Sequence, residues 1–180
     1  MSTPTDVELA AAQLDPPTPK KFRAQALERS WTFGVSRELL WGWLNDTRTF
    51  TRGQVFPYRV EFLPLADGRP GGFVPGCANA HHGPLMSFHG VIGEVREPEY
   101  RDLRYGYGSY ALSLRLARPR RLQFWFEEAG EGRSTLRLRL DTDVRGWFAP
   151  LWGAVNGFFW WNFGLSARIV LAWRQRRADS

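Results

Sequence analysis

Cysteine is nearly absent from this chain. Cys77 stands alone, so no internal disulfide can staple the fold, and a reducing, cytoplasmic setting is the expectation. Lysine is almost as scarce: Lys20 and Lys21 are the only two, and the net charge of +6 is therefore almost wholly arginine. Those arginines are spread along the chain rather than gathered in one run, which argues against a nucleic-acid footprint. The opening MSTPTDVELAAAQLD lacks the basic and then apolar regions of a secretion signal. No Ser-His-Asp set, phosphate-binding glycine loop or dinucleotide fingerprint occurs. His81, His82 and His89 with Cys77 show no CxxC or HxxxH spacing, and strand alternation sends them to opposite faces, so neither a metal nor a cofactor is expected. Glu127 and Glu128 are adjacent on a strand pattern, point oppositely, and cannot share a substrate.

Aromatic residues are plentiful, with nine tryptophans and thirteen phenylalanines, which suits a wide apolar interior. The richest stretch, Trp147 to Ala167, carries no charge. Beyond it Arg168, Arg174, Arg176 and Arg177 alternate with Ile169, Val170, Leu171 and Trp173. Pro150 suits a first turn, and Asp141 and Asp143 precede it at the positive end of the dipole. One long helix from about Trp147 to about Arg176 follows. It is long enough to serve as a membrane tail anchor through 147–173, and Gly153 and Gly157 have GxxxG spacing. Asn156, Asn162 and Ser166 dilute it, and its tryptophans sit mid-run rather than at two interfaces, so packing on a sheet is the expectation. Leu151, Val155, Phe158, Asn162, Leu165 and Ile169 form one stripe, with Trp152, Phe159 and Phe163 beside it, predicted to face that sheet.

Residues 1–27 read as a disordered tail: Asp6 to Leu14 could form a short helix, and Pro16, Pro17 and Pro19 mark a linker. A single domain then spans 28–178. Trp31, Phe33 and Val35 alternate as a strand, Ser36 caps a helix through Leu44, and a further turn runs to Phe50. Strand patterns follow at Tyr58 to Phe62, Cys77 to His82, Ser87 to Val95, Tyr100 to Leu116, Leu122 to Phe126 and Leu136 to Leu140. In the fourth, the apolar phase slips at Gly106 to Ser109, which a bulge, a tight turn or two elements would each explain. The fold class is α+β: a curved antiparallel sheet of six or seven strands gripping the last helix, with a short helical pair after the first strand.

These pieces resemble the START and polyketide-cyclase superfamily, the helix-grip fold also labelled SRPBCC. The matching segments are Trp31 to Asp46, Phe88-His-Gly-Val-Ile-Gly-Glu-Val95, Leu122 to Glu128 with Thr135 to Asp143, and the closing helix. The resemblance implies a small apolar ligand held between helix and sheet. In a minority of members it implies polyketide cyclase, aromatase or dehydratase chemistry, with no shared motif that assigns residues.

Candidate site residues come from alternation. If the hairpin turns at Pro84-Leu85, His81 opposes Phe88 and Ala80 opposes His89, which sends Asn79 and His81 inward with Met86 and Phe88. Either the two polar side chains bond to each other or to backbone, or they meet a ligand. Tyr105 and Tyr107 share the inward phase of Leu103, Phe124 lines a neighbouring strand, and Trp152, Phe159 and Asn162 line the helix. Cys77 reads as a small core residue. The leading functional expectation is a non-catalytic binder of a lipid-like or aromatic, polyketide-like molecule. The alternative is a cyclase or dehydratase with His81 as general acid/base, and the second alternative is the tail anchor. A small hydrophobic molecule is the expected partner, with peripheral membrane contact compatible, no nucleic acid, and oligomeric state open.

Overall fold

The computed structural model describes residues 17–51, 59–83, 87–112 and 114–178. In chain order these form β1 (Phe22–Phe33), α1 (Arg37–Asn45), α2 (Thr47–Thr51), β2 (Arg59–Phe62), β3 (Ala78–His82), β4 (Phe88–Arg96), β5 (Tyr100–Tyr105), β6 (Ala117–Glu128), β7 (Ser134–Arg145) and α3 (Ala149–Ala178). The seven strands make one antiparallel sheet in the order β1-β7-β6-β5-β4-β3-β2. β2 to β7 thus form a meander, and the first strand closes its far edge against the last. The α+β architecture is the expected one. Tyr58, the Pro84-Leu85-Met86 turn and the Asp6 to Leu14 segment lie outside the described residues.

Local sequence explains the elements. The Ser36 hydroxyl accepts the Leu39 amide at 3.2 Å and starts α1, whose Leu40, Trp41, Trp43 and Leu44 are buried. Leu136, Leu138, Leu122, Phe124 and Phe126 alternate along β6 and β7 and supply the sheet's share of the core. Their polar neighbours occupy the outer face. There Asp102 is sealed from solvent, with Arg121 Nη2 at 2.6 Å and the Glu94 amide donating at 2.6 Å. Asp143 is likewise buried, paired with Arg118 and receiving the Thr18 hydroxyl at 2.8 Å.

Two expectations need correction, and one open pattern is settled. Phe22 to Leu27, read as tail, belong to β1 and pair with Arg145 to Leu140 of β7. Arg23 and Gln25 break the apolar alternation there, so pairing rather than pattern makes this part of the strand. The pattern from Tyr100 to Leu116, left open between a bulge, a tight turn and two elements, resolves as a strand that ends at Tyr105 and a turn after it. Gly106 to Ser109 turn the chain, with Gly108 at φ 82°, Tyr110 makes one bridge to Ser87, and β6 begins only at Ala117.

The second correction concerns α3. Ala149, Asn156, Trp160, Ala167 and Leu171 are buried, and Gly153, Gly157 and Gly164 lie against Gln25, Arg29 and Trp31 of β1. The predicted inward stripe of Leu151, Val155, Phe158, Leu165 and Ile169 is exposed instead. Both faces are apolar, so hydrophobicity does not choose between them; the small residues do, because they let helix and sheet come close. At Gly164 even a methyl group would sit 2.1 Å from Trp31 Nε1.

A second close approach occurs at Gly90, where a Cβ would lie 2.4 Å from the Arg104 backbone oxygen. Gly90→Ala is expected to cost about 1–3 kcal/mol, as overpacking against backbone does, and to lower the thermal midpoint by several degrees. Gly42→Ala, at an exposed α1 position with nothing within 4 Å, should instead be stabilising by up to about 1 kcal/mol. Paired melting curves check both signs.

Candidate functional site

The inner face of β3, β4 and β5 gathers the polar residues that an apolar core would omit. Register places Asn79 between Phe62 of β2 and Gly90 of β4, and Gly90 opposite Tyr105 of β5. One step along, His81 opposes Val60 and Phe88, and Ala80 opposes His89, the register read from the hairpin sequence. The His81 ring stacks on Phe88 at 4.4 Å between centroids and meets the Tyr105 ring edge-on at 5.8 Å. Phe88 and Tyr105 are 4.9 Å apart, so the three rings form one cluster.

Asn79 is buried, and neither its amide nitrogen nor its oxygen has a hydrogen-bond partner among the described residues. His81 Nε2 is buried and unpartnered in the same sense. Burial pushes the His81 imidazole down to about 4, helped by the charge of His82, so it is neutral at pH 7. Burial also pushes the Tyr105 phenol up, opposed by the nearby Arg101.

Arg101 is the residue that the sequence reading missed. It shares the inward phase of Leu103 and Tyr105, and that parity was the available signal; the habit of assigning arginine to solvent hid it. Its Nη1 donates to the Leu44 carbonyl at 3.2 Å and to Asn45 Oδ1 at 3.1 Å, at the end of α1. The guanidinium lies 3.8 Å over the Phe73 ring and 5.0 Å from that of Phe124. It makes no ion pair among the described residues. Burial lowers it to about 9, which leaves it charged at pH 7. A helix C-terminus and aromatic faces stand in for a carboxylate.

The predicted set therefore divides. Asn79, His81, Phe88 and Tyr105 come together, and Phe124 joins them through Arg101. Tyr107 does not: it is 70 % exposed in the turn after β5, with the Arg118 guanidinium over its ring. Trp152 packs in a separate small cluster with Ala117, Val144 and Phe148. Phe159 is exposed on the far side of α3. Asn162 also lies on that side, its Nδ2 donating to the Phe158 carbonyl at 2.9 Å, while Asn156 takes the buried position. On the inner face of α3, Trp160 meets Phe124 at 6.4 Å between centroids, and its Nε1 is buried without a partner among the described residues.

Beside β1 and β7 the helix packs tightly. Trp160, Phe163, Trp31 and Trp43 interlock, and the space at Leu27, Leu140, Trp152 and Asn156 measures 10 Å³, about one water-sized sphere. A larger cavity of 450 Å³ opens on the outer face, lined by Ala24, Ala26, Arg104, Arg121, Arg139 and Asp141. Cys77 is buried, its sulfur accepting the Gly72 amide at 3.2 Å. Among the described residues no helix is long and apolar enough to cross a membrane, which removes the tail-anchor reading.

The depressed His81 fixes a pH dependence. The unfolded chain takes up this proton below about pH 6.5, whereas the folded chain resists it down to about 4. Protonation in that window favours unfolding, so this residue's contribution to stability falls by roughly 3 kcal/mol between pH 6.5 and 4. Urea unfolding at several pH values should show the slope in the parent chain and lose it in His81→Gln; identical slopes would refute the assignment.

No protein-family model matches the sequence, and no curated protein matches it. Solved structures match the fold. Norcoclaurine synthase from Thalictrum flavum, in complex with dopamine and hydroxybenzaldehyde, is similar over 96% of this chain and 95% of its own, with a TM-score of 0.54 and 7% identity. Its truncated form is similar over 83% and 91%, at TM-score 0.54 and 11% identity. An uncharacterised protein from Rhizobium leguminosarum is similar over 85% and 97%, at TM-score 0.50 and 10% identity. With a seven-stranded antiparallel sheet, a helical pair after its first strand and a closing helix across its inner face, this chain has the helix-grip fold that these solved structures share.

Proposed function

We propose that this protein binds a small, largely apolar, ring-containing or acyl molecule that carries an oxygen function, between the inner face of β3–β5 and Trp160 of α3. The observation that supports this most is a set of buried polar atoms without a hydrogen-bond partner among the described residues, Asn79 Oδ1 and Nδ2, His81 Nε2 and Trp160 Nε1, in an otherwise aromatic wall. A buried polar group without a partner costs about 1–3 kcal/mol, and a ligand carbonyl or hydroxyl that accepts and donates there recovers that cost. Phe88, Tyr105 and Phe124 supply the apolar surface that gives such sites their affinity. Arg101, committed to α1, biases the site toward electron-rich groups without being released to pair with one. The setting proposed is a reducing, cytoplasmic one, in keeping with a buried free thiol at Cys77.

Binding is favoured over cyclase or dehydratase chemistry. An imidazole held near 4 is a weak base at neutral pH, and general bases work best with a pKa near the operating pH. His81 suits orientation by hydrogen bonding better than proton abstraction.

The test uses hydroxybenzaldehyde, the probe that the norcoclaurine synthase structure holds, with NMR detection of side-chain amide and indole protons. Titration is expected to shift the Asn79 amide and Trp160 indole signals. Asn79→Leu should weaken binding at least tenfold while raising stability by about 1–3 kcal/mol, because it removes the orphaned amide. A titration that moves neither signal, together with native mass spectra showing only the bare chain after purification without detergent, would overturn the reading.

A further inference from the structure

The outer face of α3 is as apolar as the inner one, and nothing among the described residues covers it. Leu151, Val155, Phe158, Asn162, Leu165 and Ile169 recur along it at alternating spacings of four and three residues. That is the period of a coiled-coil seam. Val155, Asn162 and Ile169 fall on one of its two repeating positions, with Leu151, Phe158 and Leu165 on the other. Phe159, Trp161 and Trp173 broaden the stripe on either side. The large apolar side chains of this face, these flanking rings included, are each between 48 % and 68 % exposed. Together they present on the order of 800 Å² of apolar surface, each aromatic ring showing roughly half or more of the 150–250 Å² that it can bury. Single-chain surfaces rarely carry patches beyond a few hundred Å².

We propose that this face is a homodimer interface, its occupant α3 of a second copy of the chain. Three observations favour a copy. Its area equals the share that one partner contributes to a standard interface, roughly 800 Å². Val155 and Ile169 on one seam position, with Leu151 and Leu165 flanking Phe158 on the other, follow the arrangement that favours two strands in parallel dimers. Asn162, in the middle of the seam, gives a self-complementary polar contact of the kind that sets register and oligomeric state at some cost in stability. In lipid the same polar side chain would carry a desolvation cost. The arginines of α3, Arg168, Arg174, Arg176 and Arg177, gather at its C-terminal end, so they do not flank the stripe on both sides as a membrane-lying helix would need. The seam shares no position with the buried set of Ala149, Asn156, Trp160, Ala167 and Leu171, so the helix can hold its own sheet and a partner at once.

The test is light scattering coupled to gel filtration on the full chain without detergent, at tens of micromolar. The expected mass is twice 20.7 kDa. The double variant Phe158→Glu with Leu165→Glu, both at exposed positions, should elute at the single-chain mass with an unchanged circular dichroism spectrum, its association weakened by at least a hundredfold. Asn162→Leu is expected to associate more tightly and into a mixture of sizes, the signature of lost register control. A single-chain mass for the parent protein, or an unchanged dimer in the double variant, would overturn the proposal. So would parent chains that stay single yet sediment with phosphatidylserine vesicles, leaving the double variant in the supernatant; that result would assign the face to a membrane.

Discussion

The close approach of α3 to β1 governs the rest of the molecule. Gly153, Gly157 and Gly164 bring the helix backbone down onto Gln25, Arg29 and Trp31, so that no larger side chain fits at Gly164 without displacing the indole. This contact decides which way the helix is rolled about its axis. The roll decides which rings fill the interior: Trp160 and Phe163 rather than Phe158 and Phe159. It also decides which rings are left outside. Apolar periodicity could not have made that choice, because a helix that is apolar on both sides offers no single face to bury.

Burial of charge is managed differently on the two faces of the sheet. Outside, Asp102 and Asp143 are sealed under arginines, and each pair keeps its hydrogen bonds. Inside, Arg101 has no carboxylate among the described residues and is held by carbonyl and amide oxygens at the end of α1 and by aromatic faces. In the outer arrangement each carboxylate has an arginine partner and a further donor, Arg121 and the Glu94 amide on Asp102, Arg118 and the Thr18 hydroxyl on Asp143. On the same inner face Asn79 Oδ1 and Nδ2 and His81 Nε2 have no hydrogen-bond partner among the described residues, and the proposed site rests on that imbalance.

Most of the architecture could be read from the chain because strand alternation and element order are local signals. The β3–β4 register followed from one turn position, and with it the inward placement of Asn79, His81 and Phe88. Where the reading went astray, the deciding physics was not local. Phe22 to Leu27 join the sheet because β7 offers them partners, not because their own pattern is apolar. Tyr107 kept the phase of Tyr105 on paper, yet Gly106 and Gly108 turn the chain between strands and carry it to the surface. Trp152, Phe159 and Asn162 were assigned by stripe, whereas the roll of α3 follows from its smallest residues. Arg101 stood in the correct phase and was passed over for its charge alone.

The thirty residues of α3 form one rod about 45 Å long. Trp160 on its inner side and Phe158 and Leu165 on its outer side are separated by less than two turns. A tilt of the helix that carries Trp160 away from Phe124 also carries Phe158 and Leu165, since a helix transmits tilt along its whole length. The proposed interior site and the proposed outer seam therefore share one helix.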